Sequence, residues 1–247
     1  MSTREATFLA FDSAHFGVPI ARLDGEHHDL AGLEPALAAC VERHIACAYC
    51  LVPAAELEAI RAVEDAGFRL VDQRMTLARP LSSAHEVVPS IREATSEDVP
   101  ALEALAAVSH TDSRFFADPR FARERCAELY RRWISRSCLE GFADVVLTEG
   151  AVGEPSSYIT CQRDAASPQI GRIGLIAVDD AHQGRGVGRR LIAGALHWFA
   201  KAGVVEVDVA TQARNIRAQR LYQRSGFQSQ SSSLWYHKWF TDPPPRP

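Results

Sequence analysis

"AVDDAHQGRGVGRRL", residues 177–191, sets glycine at 184, 186 and 188 and arginine at 185, 189 and 190. Glycine is a poor helix former, yet Val187, Leu191, Leu196 and Phe199 recur along one helical stripe. The pattern predicts a helix whose first turn is stripped of side chains. A helix start leaves four backbone N–H groups unpaired and carries about half a positive charge. Glycines there let a bulky anion sit directly on those N–H groups, with arginine charge nearby. A glycine-rich turn with a solvated arginine face is the second reading that the residues alone leave open. Two common phosphate fingerprints do not fit. No Lys-Ser/Thr follows the last glycine, and the spacing is G-x-G-x-G rather than G-x-G-x-x-G.

Around this stretch the periodicity alternates between strand and helix. IGRIGLIAV (170–178) reads as a strand leading into it. VVEVDVA (204–210) alternates as a strand, NIRAQRLYQRSG (215–226) as a helix, and SSSLWYHKWF (231–240) closes as a strand. Upstream, IREAT (91–95) reads as a strand and SEDVPALEALAAVS (96–109) as a helix that Ser96 or Asp98 can cap. A further helix is expected over about 121–137, then strands near FADVVLTE and SSYITCQR and a turn at Ser167–Pro168.

The first 80 residues give strands at ATFLAF, VPIARL, IACAYCLV and FRLVDQRMTLAR. Helices are expected from Leu33 to His44 and over AAELEAIRAVEDAG. PLSSAHEVVP (80–89) is bracketed by prolines and reads as a linker. The expected division is a smaller α/β domain at 1–80, a linker at 81–89, a main domain at 90–240 and a disordered tail at 241–247. AIRAVEDAGFRLV (59–71) echoes AQRLYQRSGFQSQ (218–230). The first domain can therefore be read as a degenerate half-copy of the second, or the echo as chance.

Bulk properties exclude some classes. The chain has 247 residues, 47% hydrophobic and 23% charged, with a net charge of -4. A general nucleic-acid binder usually carries a basic excess. The stripe Arg214, Arg217, Arg220 and Arg224 accordingly reads as a solvated helix face. No apolar run is long enough to cross a bilayer, and MSTREATF lacks the layout of a secretion signal. The expectation is a cytoplasmic protein without membrane, nucleic-acid or metal partners, for which a homodimer is allowed. Cys47 and Cys50 form a C-x-x-C inside an apolar strand with no second pair, so buried thiols are the preferred reading and a redox role the alternative. His27 and His28 lie in a polar loop and are given a solvated role.

Two segments carry a resemblance. Gln183-Gly-Arg-Gly-Val-Gly188 resembles the Q/R-x-x-G-x-G/A signature of the GCN5-related N-acetyltransferases. NIRAQRLYQRSGF resembles that family's second signature, matched at Asn215, Ala218, Tyr222, Gly226 and Phe227. The resemblance covers residues 90–240 and implies a mixed α/β sheet with splayed central strands. It also implies acetyl-CoA as cosubstrate and a primary amine as acceptor. The implied cofactor-binding residues are Ile176, Ala177, Val178, Gln183, Gly184, Arg185, Gly186, Val187, Gly188, Arg189 and Asn215. The Val178 amide would face the thioester oxygen, and Tyr222, the implied catalytic residue, would hydrogen-bond the departing sulfur. Asn215 and Tyr222 are seven residues apart, about 10 Å along one helix face. No base is assigned. Asp179, Asp180, His182, His110 and Asp112 are the titratable candidates, and the two aspartates before His182 read as turn and cap residues.

Further stretches are similar to nucleotide-sugar acetyltransferases of the dTDP-fucosamine type: FDSAHFGVPIARL (11–23), HTDSRFFADPRF (110–121), YRRWISRS (130–137) and VATQARN (209–215). This implies a nucleotide-linked amino sugar as acceptor, with Arg114 and Phe115, beside Phe116, supplying charge and a planar surface. Phe115 and Phe116 plugging a loop onto the core is the competing reading. Acetylation of another small amine, antibiotic or peptide amine, and acyl-CoA binding without turnover, are the alternatives.

Overall fold

The computed structural model describes residues 6–23, 30–82 and 86–240. The histidine pair 27–28, part of the expected linker (83–85) and the expected tail at 241–247 lie outside the described residues. In chain order the elements are β1 (Ala6–Phe8), α1 (Ala10–Phe16), β2 (Ile20–Leu23), α2 (Leu30–Glu42), β3 (Cys47–Pro53), α3 (Leu57–Asp65) and β4 (Arg69–Pro80). They continue with β5 (Ile91–Glu93), α4 (Val99–Ser109), α5 (Arg114–Ala117), α6 (Arg123–Leu139), β6 (Val145–Ala151), β7 (Glu154–Arg163) and β8 (Ile170–Val178). The last are α7 (Val187–Lys201), β9 (Glu206–Gln212), α8 (Ile216–Arg224) and β10 (Gln228–Trp239).

Two compact units are interleaved in sequence. One comprises Met1–Arg74, Ser113–Arg125 and Ser231–Pro247, the other Met75–Asp112 and Cys126–Gln230. This division differs from a single boundary at 80 for a covalent reason. β4 is one uninterrupted strand, leaving the first unit at Arg74 and entering the second at Met75, while most of β10 belongs to the first unit. The run β2-α2-β3-α3-β4 repeats the order of β8-α7-β9-α8-β10, so the echo noted in the sequence extends to the order of five elements.

In the first unit the strand order is β1-β2-β3-β10. β2 runs parallel to β3 from Ile20↔Cys47 to Leu23↔Cys50, and β10 antiparallel to β3 from Ser233↔Pro53 to Trp239↔Cys47. Leu33, Cys40, Cys50, Val52, Val63 and Tyr236 pack in its core. Cys47 and Cys50 are both buried outside any disulfide, and three residues apart on a strand they point to opposite faces. They form neither a disulfide nor a ligand pair.

In the second unit the order is β4-β9-β8-β7-β6-β5. α7 buries Val187, Leu191, Leu196 and Phe199, the expected stripe, against Ile159, Cys161 and Ile173. Gly171 admits the Phe199 ring, since a Cβ there would come within 2.6 Å of it. Neither expected residue is the cap: Thr95 is the N-cap of the turn at Ser96–Asp98, and Asp98 is its capping-box partner, with no cap bond to α4. Asp98 accepts the Thr95 amide at 2.8 Å and that of Gly153 at 2.9 Å, and forks with the Arg92 guanidinium at 2.7 and 2.8 Å. The guanidinium bonds hold its carboxyl well below the usual range.

Two short helices were not expected. α1 ends after seven residues at Gly17, whose φ of 73° only glycine adopts freely. α5 has a single turn.

Candidate functional site

The sheet opens beside α7. β8 and β9 are in register only from Ile170↔Glu206 to Ile173↔Val209, so residues 174–178 of β8 lose that neighbour. A bulge at Thr160 of β7 accompanies the opening. Its hydroxyl accepts the Leu175 amide at 2.8 Å, and Gly174 is required because a Cβ would come 2.7 Å from that oxygen. The Asp179 amide bonds back to Ser156 on the β7 side at 2.9 Å. Backbone polar groups alternate along a strand. Ile176 and Val178 therefore direct their N–H groups to the open edge, while Ala177 directs its own toward β7.

The loop from Asp179 to Gly186 is sewn shut by its own polar groups. Asp179 caps the Ala181 amide at 2.9 Å and contacts His182 at 3.4 Å, as turn residues do. The Gln183 side chain donates to the Val178 carbonyl at 3.1 Å and to Asp180, and accepts from Arg217 on α8. Gln183 thus holds the loop, and Arg217 is drawn from the expected solvated stripe to do so. Gly184 and Gly186 have φ of 73° and 77°, a region costly to other residues. Gly186 is the N-cap of α7. Val187 buries its side chain while its amide, with those of Gly188 and Arg189, forms the bare first turn. Arg185 and Arg189 are exposed. Arg190 differs: it forks with Glu149 at 2.9 and 2.8 Å, so its charge is already matched.

On α8, the Asn215 side chain accepts the Ala218 amide at 2.9 Å and so caps the helix. Tyr222 is 2% exposed and packs edge-on against Phe227. Its hydroxyl bonds to no described residue, and burial pushes the phenol above its usual value. Of the base candidates, Asp112 is exposed and His110, at the end of α4, donates to or accepts from the Tyr158 hydroxyl at 2.7 Å and stacks on Tyr130. Tyr158 and Ile159 are neighbours on β7 and point to opposite faces. His110 therefore lies on the face away from α7. Burial pushes its imidazole down to about 4.

The glycines, the bare N–H groups and Arg185 with Arg189 fit a bulky anion such as the pyrophosphate of coenzyme A. Comparison with known proteins decides the class. Residues 105–227 match the acetyltransferase (GNAT) family. The chain is 30% identical over 178 residues, 72% of its length, to the dTDP-fucosamine acetyltransferase of Escherichia coli O6:H1, covering 75% of that protein. The chain belongs to the GNAT family of acetyltransferases. It is also 30% identical over 192 residues to the spore coat polysaccharide biosynthesis protein SpsD of Bacillus subtilis, covering 76% of this chain and 65% of that one. A GCN5-related N-acetyltransferase from Sphaerobacter thermophilus shares the fold, with a TM-score of 0.57, 18% identity, and coverage of 86% and 68%. This GNAT protein is an N-acetyltransferase that uses acetyl-CoA. No described helix is long and apolar enough to cross a membrane, and no described cluster of His, Cys, Asp and Glu could hold a metal ion.

The first unit of the acetyltransferase carries a second polar cluster. Phe115 is buried among Phe16, Tyr49 and Phe121, and offers no free face, because the Arg114 guanidinium covers it at 4.2 Å. Arg114 also lies 4.2 Å from the Tyr49 ring and 4.3 Å from that of Trp235, which is half-buried. Its Nη1 donates to His237 Nε2 at 3.2 Å, and His237 Nδ1 lies 2.7 Å from Asp118. Tyr49 is sealed, and its hydroxyl has no partner among the described residues, which costs about 1–3 kcal/mol. The sequence singled out Arg114 but not Tyr49, Asp118, Trp235 or His237. The first and last of these are 188 positions apart (237 − 49), and no local pattern joins them.

Proposed function

We propose that this acetyltransferase moves the acetyl group of acetyl-CoA to the primary amine of a nucleotide-linked amino sugar. The observation that carries the acceptor is the extent of the likeness to the dTDP-fucosamine enzyme. It runs over 178 residues, whereas the family match spans 123 (227 − 105 + 1), so it reaches beyond the acetyl-transfer motifs.

Acetyl-CoA supplies a thioester; the amine nitrogen bonds to its carbonyl carbon as the carbon–sulfur bond breaks, and one proton leaves nitrogen while sulfur gains one. Gly184, Gly186 and the bare amides of Val187, Gly188 and Arg189 hold the pyrophosphate, with Arg185 and Arg189 adding charge. Gln183 and Asn215 keep the loop and α8 in the shape that this requires. Ile176 and Val178 offer N–H groups at the open edge, Val178 to the thioester oxygen, where they stabilise developing negative charge. Ala177 supports them through β7. Tyr222 donates a hydrogen bond to the departing sulfur. Its raised phenol is a weaker acid than a thiol of pKa about 8.5, so it acts as a donor and solvent completes the proton balance. Arg114 meets the acceptor's phosphate charge. The Phe115 ring and the half-buried Trp235 ring support Arg114.

Thiol release from acetyl-CoA, measured across amino-sugar nucleotides, aminoglycosides, polyamines and peptide N-termini, tests this. Turnover should be greatest with an amino-sugar nucleotide. Preference for another amine class would overturn the acceptor and leave the acetyl transfer standing.

A further inference from the structure

His237 is sealed in the first unit, and every polar atom of its ring is engaged. Asp118 Oδ2 accepts from Nδ1 at 2.7 Å and from Trp239 Nε1 at 2.9 Å, and Oδ1 accepts the Arg120 amide at 3.0 Å. An Nδ1 proton committed to Asp118 leaves Nε2 as a lone pair, and that lone pair takes Arg114 Nη1. Burial keeps the ring neutral at ordinary pH. The bond therefore orients Arg114 without cancelling its charge.

The three aromatic faces around Arg114 act in the same way, fixing its plane and leaving it cationic. Among the described residues no carboxylate hydrogen-bonds it. Asp12, the acid that acts on it through space, is itself shifted toward its protonated form by burial. Arg114 Nε and Nη2 donate to no described residue. A partly buried fork, fixed by three aromatic faces and one hydrogen bond and with two unused donors, matches a phosphate oxyanion.

We infer that Asp118 and His237 are positioning residues that hold Arg114 as a preformed receptor for a phosphate of the acceptor. This rests on the acceptor reading above. Phosphate and carboxylate share the chemistry that a guanidinium fork recognises, and the acceptor's diphosphate is the source that this reading names.

The test is calorimetric binding of thymidine diphosphate to the full chain already saturated with coenzyme A, which keeps the probe off the α7 loop. Arg114→Ala should remove binding. The Gln in His237→Gln still presents an oxygen toward Arg114, and the affinity should stay within about threefold of wild type. The shorter Asn in His237→Asn reaches Asp118 but not Arg114, and the affinity should fall about tenfold or more. A merely structural role would move the two histidine variants together. Asp118→Asn keeps the size but sets an NH2 against one of the donors now bound, and should also weaken the probe. If the histidine variants do not fold, Asp118→Asn should bind several times more weakly, and unchanged binding in it would overturn the positioning role.

Unchanged binding in Arg114→Ala would remove the Arg114 contact from the acceptor reading. Loss in Arg114→Ala with equal affinities in the two histidine variants would keep that contact and overturn the positioning role. Equal competition by acetate would overturn the phosphate class. No binding by the wild-type chain would overturn the receptor while leaving the acetyl-transfer panel to judge the acceptor by itself.

Discussion

Gly188 and Leu221 meet so closely that a Cβ on the glycine would come 3.1 Å from Leu221 Cδ2. The first turn of α7 thus packs directly on α8, and Gln183 with Arg217 ties the same two places by a hydrogen bond. The two signature segments form one mechanical piece. A change in either shifts both the anion loop and the helix that carries Tyr222.

The glycines of that loop are not equivalent. Gly186 has a φ of 77°, and an alanine there costs about 1–2 kcal/mol of backbone strain. Gly188 is helical and its nearest neighbour is the flexible end of Leu221, with Val178 Cγ2 farther off at 3.9 Å. Gly186→Glu should abolish coenzyme A binding through bulk and charge. Gly186→Ala should weaken it about tenfold, and Gly188→Ala by no more than about threefold. Titration calorimetry with coenzyme A gives all three, and equal losses at 186 and 188 would contradict the loop geometry.

Tyr222→Phe removes only the hydroxyl that has no described partner, so packing and coenzyme A affinity should stay nearly intact. A hydrogen bond to developing thiolate charge accounts for about 1.5–3 kcal/mol, so kcat should fall about tenfold to a hundredfold. Steady-state kinetics beside a coenzyme A titration separates the two effects. An unchanged kcat would remove the tyrosine from the sulfur end.

Three arginines share the loop, but their charges are spent differently. Arg190 forks with Glu149 and also donates to the Arg185 carbonyl at 2.9 Å. Arg190→Ala should lower the melting temperature, because Glu149 is then left partly buried without its partner. Arg185→Ala with Arg189→Ala should leave melting unchanged and weaken coenzyme A binding. That loss should shrink in high salt, where exposed charges are screened.

Much of this was legible in the sequence because it is local. The α7 stripe has one period throughout, and Val187, Leu191, Leu196 and Phe199 are all buried as expected. Asp179 does cap the turn that its position suggested. The strand that the helix-Gly-Phe corner at 218–230 suggested does begin at Gln228, and it runs on through the polar QSQSSS to Trp239. The misses have other causes. Ala10–Phe16 is too short for a helical period to show, and its stop depends on Gly17. The expected boundary at 80 failed to mark a unit because a continuous strand has no compositional break at Arg74. The Asp118–His237 pair spans 119 positions, and only folding brings it together. Asn215 and Gln183 were legible as important, but their bonds show that they hold the backbone in place.

His110 and His237 both make the fold less stable toward acid. Burial pushes each down to about 4 from the ordinary 6.5, so both rings are neutral when folded. The unfolded chain protonates them below 6.5 and gains relative to the fold. Their contribution to stability is therefore full above 6.5 and is lost as the pH falls toward 4, below which it stops changing. Urea unfolding midpoints between pH 7 and pH 4 should fall steeply in the wild-type chain. His110→Gln removes one proton taken up on unfolding, so its curve should be flatter across that window, whatever its stability at pH 7. Carboxylates titrate equally in both proteins and cancel in the difference. Parallel curves from 6.5 down to 4 would mean that His110 is charged in the folded protein, and that its bond to Tyr158 runs from a protonated ring to the phenol oxygen.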